Sequence, residues 1–294
     1  MSGLAALLGA GRPVLLDGGM GTLLQDSGLE DGAPGELWNL DNPDAVRAAH
    51  AAYAEAGARV ITTNTFGGTR PRLDMHGLGD RLTEVNRNAA RIARSVADEH
   101  GLLVAGDVGP TGELLAPLGT LTSEEAKALF AEQIAALMEG GIDLLLVETL
   151  SDLGEADAAL AAAREAAPGI PVIVTMSFDT NLRTMMGVRP GDAVAHLAAA
   201  GADGVGANCG RGPEEMELIA AEMAQARTGD LLLVAQSNAG LPQVVGDHFE
   251  YDATPSDLAA HTARLAELGI DLVGGCCGST PAHIAAMGAV LAPA

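Results

Sequence analysis

Short apolar runs that end in Gly, Asn, Asp or Thr alternate along the chain with longer stretches whose apolar residues recur at helical spacing. Eight such runs occur: VLLDGG (14–19), VITTNT (60–65), LLVAGDVGP (102–110), LLLVET (144–149), PVIVTMSF (171–178), GVGANC (204–209), LLLVAQSN (231–238) and LVGGCC (272–277). Helical patterns follow near 43–58, 81–99, 122–140, 152–167, 191–200, 213–227, 255–268 and 280–291. Several open with a cap signal such as Asn42-Pro43, Thr254-Pro255 or Thr280-Pro281.

Near-continuous apolar strands alternating with amphipathic helices predict a parallel sheet covered by helices. Eight repeats in 294 residues favour closure into an α/β barrel. The expectation is one (β/α)8 TIM barrel domain over residues 1–294, with its site at the C-terminal ends of the strands. An open doubly wound sheet is the alternative, weakened because no G-x-G-x-x-G turn follows the first strand. Asp17, Asn64, Thr65, Asp107, Glu148, Thr149, Ser177, Asp179, Asn208, Cys209, Asn238, Cys276 and Cys277 all fall at or just past a strand's C-terminal end.

Composition narrows the function. The formal charge is −23 and Lys127 is the single lysine, so a phosphate backbone finds no basic surface, and nucleic acid is not expected as a partner. No apolar run approaches the length that spans a bilayer, and the first residues lack a convincing signal peptide. A soluble, cytoplasmic protein is the expectation.

Three cysteines cannot pair off as disulfides, and Cys276 and Cys277 are adjacent in sequence. Three thiolates converging on zinc explain their placement at two strand ends, and three protein ligands leave a tetrahedral position open, as in catalytic sites. The alternative is three buried apolar cysteines. Neighbouring strand residues point to opposite faces, so Cys276 and Cys277 share an ion only if the backbone bends, which Gly274, Gly275 and Gly278 permit. The seven histidines show no paired ligand spacing. His50, His100, His196 and His261 are expected in surface or helix-end roles on outer helices, and neither His248 nor His283 is expected to bind metal.

The motifs LLDGGMGTLLQ (15–25), TNTFGGT (63–69), DVGPTGE (107–113), VETLSD (147–152), GANCG (206–210) and GGCCGSTPAHI (274–284) span nearly the whole chain. Together they resemble the homocysteine S-methyltransferase family, which shares the homocysteine-binding barrel of methionine synthases and betaine-homocysteine methyltransferases. The resemblance implies that Cys209, Cys276 and Cys277 bind Zn2+ and that homocysteine sulfur takes the fourth position and accepts a methyl group to give methionine. It further implies that the Asp17-Gly18-Gly19 turn offers N–H groups to the substrate carboxylate, that Asp17 and Glu148 hold its ammonium group, and that Asn238 is a displaceable metal ligand. The donor is left open among methylcobalamin on a separate corrinoid protein, betaine, and S-methylmethionine or S-adenosylmethionine. Only seven aromatic residues are available for the cage that a quaternary ammonium donor such as betaine needs. Two alternatives are a non-catalytic zinc- or thiol-binding module and a methyltransferase subunit acting on another thiol. A lid is expected over 26–41, and Met176, Met185 and Met186 are candidates for an apolar wall facing the donor.

Overall fold

A computed structural model describes residues 3–9, 13–30, 32–241, 243–245 and 248–292, without the side chains of residues 244, 245, 248 and 249. Eight strands form one parallel sheet: β1 (Val14–Leu15), β2 (Val60–Thr62), β3 (Leu103–Val108), β4 (Leu144–Leu150), β5 (Val172–Met176), β6 (Gly204–Cys209), β7 (Leu232–Ser237) and β10 (Leu272–Gly275). Strands β8 (Gln243–Val245) and β9 (His248–Glu250) form a separate antiparallel hairpin between β7 and β10. The eight strands run around in the order β1-β10-β7-β6-β5-β4-β3-β2, and a parallel bridge from Leu16 to Val60 joins the two ends. Closure settles the choice between barrel and open sheet.

The outer helices lie within a few residues of the sequence expectation: α4 (Pro43–Glu55), α6 (Leu82–His100), α7 (Ser123–Gly140), α8 (Leu153–Ala166), α9 (Pro190–Ala199), α10 (Pro213–Ala226), α11 (Pro255–Glu267) and α12 (Pro281–Leu291). Three shorter helices, α2 (Met20–Asp26), α3 (Trp38–Asp41) and α5 (Arg70–Asp74), sit in the loops after β1 and β2. Helix starts follow from local chemistry: Thr122 and Thr254 make reciprocal capping boxes with Glu125 and Asp257, and Asp152 accepts from the Gly154 N–H at 2.6 Å.

Alternation along each strand divides the apolar residues into two layers. Leu15, Ile61, Val104, Leu145, Val174 and Val273 face outward onto the helices, whereas Val14, Leu16, Val60, Ala105, Leu146 and Ile173 fill the barrel interior. Helix α1 (Gly3–Leu8), which the apolar pattern did not predict, brings Leu4 into the interior cluster, with Leu7 and Leu8 packed beside it. At the N-terminal ends of the strands a clamp recurs three times. Asp143, Asp203 and Asp271 accept from the Val104, Val172 and Leu233 N–H groups, each at 2.8 Å, tying β4 to β3, β6 to β5 and β10 to β7. Arg94, Arg164 and Arg227 pair with these aspartates and also donate to the carbonyls of Gly141, Gly201 and Gly269. The stable end of the barrel is built by charge-assisted hydrogen bonds, which frees the other end for chemistry.

Two histidines depart from expectation. His50 and His261, expected in surface or helix-end roles, are fully buried. Each lies on the inward face of its helix, His50 with Val46, Ala49 and Tyr53, and His261 with Leu258, Thr262 and Leu265. His261 is satisfied by the Ser237 Oγ at 2.7 Å and Glu217 Oε1 at 2.8 Å, but both ring nitrogens of His50 lack a partner. Burial pushes His50 down to about 4, below the ordinary imidazole value. Neutral His50 therefore favours the fold above about pH 6.5, and that contribution is lost as pH falls towards 4, up to roughly 3 kcal/mol by linkage. His50→Leu is expected to raise the unfolding midpoint, and to raise it more at pH 5 than at pH 8. Thermal denaturation of both proteins across that range checks this, and an equal offset at every pH would contradict it.

Candidate functional site

Strand β7 lies between β6 and β10, so the barrel itself brings Cys209, from the end of β6, next to Cys276 and Cys277, just past β10. The three Sγ atoms all lie within 4.8 Å of one another, with Cys209 to Cys276 at 2.9 Å and Cys276 to Cys277 at 4.0 Å. A tetrahedral zinc with Zn–S bonds of about 2.3 Å requires sulfurs about 3.8 Å apart, so the thiol set fits that ion in number and chemistry; Cys276 and Cys277 have the spacing, and Cys209 and Cys276 would have to part by about 0.9 Å to take it. Among the described residues it is the group of Cys, His, Asp or Glu side chains so arranged.

The bend between the adjacent cysteines is built from backbone bonds. The Cys276 N–H donates to the Ser237 carbonyl at 2.8 Å, the Ser279 N–H turns back to the Cys276 carbonyl at 3.1 Å, and the Ala239 N–H donates to the Cys277 carbonyl at 3.0 Å. Gly278 closes the turn at φ +77°, and a Cβ there would fall 2.2 Å from the Tyr251 ring. Only glycine fits both the torsion and the approach. Tyr251, which the sequence did not single out, thus covers the loop.

Cys209 and Thr149 both adopt left-handed backbone, at φ +61° and +63°, although neither is glycine. Such torsions cost on the order of 1–3 kcal/mol each and persist where neighbours enforce them. Asn208 joins the two. Its Oδ1 accepts from the Thr149 N–H at 2.9 Å and the Thr175 Oγ1 at 2.7 Å, while its Nδ2 donates to Thr149 Oγ1 at 2.6 Å and points at Cys209 Sγ at 3.5 Å.

Asn238 braces the same loops. Its Nδ2 donates to the Gly210 carbonyl at 2.9 Å and its Oδ1 accepts from the Cys277 N–H at 3.0 Å, so the oxygen expected to reach the metal is engaged with backbone. The Gly18-Gly19 turn also lies against the cysteine loop: the Gly19 N–H donates to the Ser279 carbonyl at 3.1 Å, and a Cβ at Gly19 would fall 2.7 Å from the Cys276 carbonyl oxygen. Tyr53 pins the turn, its hydroxyl donating to the Ser279 carbonyl at 2.9 Å.

The acids follow β1 and end β4. Asp17 is buried and accepts from the Thr62 N–H at 2.7 Å and the Thr62 hydroxyl at 2.8 Å, while Glu148 keeps part of its surface open. Burial pushes Asp17 up to about 7, against the pull of the Thr62 bonds, and burial with the charges of Asp17 and Cys277 pushes Glu148 up to about 8. In the thiol cluster, hydrogen bonds from Cys209 and Cys276 hold Cys277 far below the usual thiol value, at about 3, whereas the bonds to its neighbours and burial push Cys276 up. The metal-free cluster therefore behaves as one shared thiolate centred on Cys277.

The segment expected as a lid is fastened over the barrel mouth. Asn64 donates to the Gly35 carbonyl at 2.8 Å, Asn39 donates to the Asn64 carbonyl at 2.8 Å, and Glu36 accepts from the Gly67 N–H at 2.6 Å. The three methionines proposed as an apolar wall are not together. Met176 is buried in the outer layer, whereas Met185 is 73% exposed. His283 makes the N-terminal cap of α12, its Nδ1 accepting from the Thr280 N–H at 3.1 Å and its Nε2–H donating to the Ala253 carbonyl at 3.0 Å, so it is engaged structurally.

Fold and site together define a (β/α)8 barrel with three thiols converging at its mouth. The profile of the homocysteine S-methyltransferase family matches residues 14–291, and the chain belongs to that family. Methionine synthases of Mycobacterium leprae and Mycobacterium tuberculosis are each 36% identical over 96% of this chain. The chain spans about a quarter of the length of these relatives, 24% and 25%. The metallated form of the Escherichia coli homocysteine methyltransferase MmuM superposes with a TM-score of 0.81 at 28% identity, covering 97% of this chain and 99% of that one. Type I 3-dehydroquinate dehydratase of Clostridium difficile shares the fold alone, at 12% identity and a TM-score of 0.54.

The shared thiolate has a direct chemical consequence. Cys277 is the most exposed of the three cysteines and carries the low thiol value. In metal-free protein at pH 6, limiting iodoacetamide is expected to alkylate Cys277 at least several-fold faster than Cys209 or Cys276. Peptide mass spectrometry reads the order, and labelling that begins at Cys209 would contradict it.

Proposed function

We propose that the protein is a zinc-dependent homocysteine S-methyltransferase that forms methionine. The observation that carries this reading is the convergence of three thiols from two strand ends beside buried carboxyls. Cys209, Cys276 and Cys277 would hold Zn2+, which when bound supplies the positive charge that keeps a substrate thiol deprotonated at neutral pH. A free thiol, with a pKa of about 8.5, is only a few per cent thiolate there. The chain's own residues do the rest. Asp17 and Glu148, each shedding a proton as a cation arrives, hold the substrate ammonium group. The Gly18-Gly19 turn receives its carboxylate, and because the Gly19 N–H is engaged by Ser279, Gly18 is the donor assigned to it. Asn208 directs an N–H at the sulfurs, and Asn238 keeps the two cysteine loops in register. A metal role for Asn238 would require its oxygen to leave the Cys277 N–H. In the reaction the substrate sulfur attacks the donor's methyl carbon, a carbon–sulfur bond forms, and the carbon–donor bond breaks with its electron pair staying on the donor.

The donor candidates are methylcobalamin on a separate corrinoid protein, betaine, and S-methylmethionine or S-adenosylmethionine. The curated relatives are named methionine synthase and are about four times as long as this chain, which matches 24% of the length of one of them. Site of action in the cytoplasm belongs to the same reading. Among the described residues no helix is long and apolar enough to cross a membrane.

Methionine formation from homocysteine by zinc-loaded protein, offered the four donors in parallel, tests the reading. Turnover with a small donor identifies it, and turnover with methylcobalamin alone places the donor on a partner. Silence with all four would favour a non-catalytic thiol-binding module or a different thiol. Alanine at Cys209, Cys276 or Cys277 is expected to abolish tight zinc binding and activity together, by metal analysis and assay of the same preparations. Glu148→Ala is expected to raise the homocysteine KM at least tenfold with zinc content unchanged. A fully active cysteine variant, or loss of zinc from Glu148→Ala, would overturn these assignments.

A further inference from the structure

Asp107 is a buried acid to which the preceding reading gives no role. It lies on β3 two residues beyond Ala105, which lines the barrel interior, and its strand partner Leu146 also faces inward. Its side chain therefore points into the barrel, towards the layer that holds Thr62 and Glu148. Asp107 is 4% exposed, and its Oδ1 has no hydrogen-bond partner. Its backbone, in contrast, is fully engaged: the N–H donates to Thr63 Oγ1 at 2.9 Å, and the carbonyl accepts from Thr65 at 2.8 Å and Gln133 at 3.2 Å. A strand thus aims an unsatisfied carboxyl oxygen into the barrel interior, where desolvating it without a partner is costly.

An ammonium group carries three N–H donors, and in a pocket closed to water each needs an acceptor. The reading above supplies two, Asp17 and Glu148. Burial first, and then the charges of Glu148, Glu36 and Asp17, push the Asp107 carboxyl well above the ordinary range. The register sets the three acids on neighbouring inward positions: Glu148 is two residues beyond Leu146, the partner of Asp107, and the Asp17 carboxylate sits on Thr62, the partner of Ala105.

Resting on the homocysteine reading, we propose that Asp107 is the third acceptor for the substrate's ammonium group and is a determinant of selection for α-amino thiols over thiols that lack the amino group. An arriving ammonium group satisfies the orphaned Oδ1 and balances one of the converging negative charges. A thiol without that group leaves the oxygen unpaired, and this difference discriminates.

The test is calorimetric binding of L-homocysteine and of 4-mercaptobutanoate, which lacks the amino group, to zinc-loaded wild-type, Asp107→Asn and Glu148→Gln proteins. In Asp107→Asn an N–H can face the ammonium group where an acceptor stood. Homocysteine affinity is expected to fall at least tenfold while 4-mercaptobutanoate affinity and zinc content stay within twofold of wild type. Asp107→Ser, which removes the carboxyl with a smaller side chain, is expected to lose the same selectivity and serves if Asp107→Asn folds poorly. Equal weakening towards both thiols, or homocysteine binding by Asp107→Asn as tight as wild type, would overturn the assignment. If Glu148→Gln loses selectivity and Asp107→Asn does not, the proposal for Asp107 falls while the homocysteine reading stands. If wild type binds no homocysteine, or binds both thiols equally, both fall together.

Discussion

The mouth of this barrel gathers negative charge without a cation of its own. Asp17, Asp107 and Glu148 are pushed towards their neutral forms by burial and, for Asp107 and Glu148, by other acidic groups, with no basic side chain among the influences on any of the three. Past the ends of β6 and β10 the three thiols converge, with Cys277 held low by its two neighbours. Buried charge of one sign is tolerated only as far as protons or bound cations offset it. The site is thereby predisposed to two positive partners, a soft divalent metal at the sulfurs and an ammonium group at the carboxyls. An amino-acid thiol joins the two positions.

Closure of the sheet makes this arrangement possible. The cysteines are more than sixty positions apart in sequence, Cys209 and Cys276 being separated by 67. They meet because β6, β7 and β10 are consecutive around the barrel. Strand β7 then acts as the frame between them. Its last carbonyl, on Ser237, receives the Cys276 N–H, and Asn238 reaches to both loops. Left-handed backbone at Cys209 and Thr149 is held by the same network, through Asn208. At the other end of the strands, aspartate–arginine clamps fasten the staves where no chemistry takes place. Rigidity is thus concentrated at one end and strain at the other, the division expected when a scaffold must present a preorganised site.

Much of this was legible in the chain itself. Eight apolar runs with helical stretches between them carry a period that hardly any other architecture shares, and the cysteines at two run ends mark the site without reference to coordinates. Other features escaped for identifiable reasons. Helix α1 is six residues long, too short for a helical period to register, and its burial depends on the open bottom of the barrel. His50 and His261 were placed by residue type in surface or helix-end roles, although their spacing from Val46, Tyr53, Leu258 and Leu265 sets them on inward faces. Asp107 stood out as a rim residue, but an unpartnered oxygen is a property of three-dimensional neighbours. Likewise, that the Gly19 N–H is already committed depends on the Ser279 carbonyl, which lies at the far end of the chain.

The central claim is that one metal ion, held by Cys209, Cys276 and Cys277, is where the substrate's sulfur binds. Zinc-edge X-ray absorption of the loaded protein, recorded alone and with L-selenohomocysteine, addresses it most directly. Three sulfur neighbours with one lighter atom in the first spectrum, and a selenium neighbour replacing that lighter atom in the second, are the predicted result. A zinc environment without three sulfurs, or one that admits no selenium while the ligand is bound at saturation, would contradict the account.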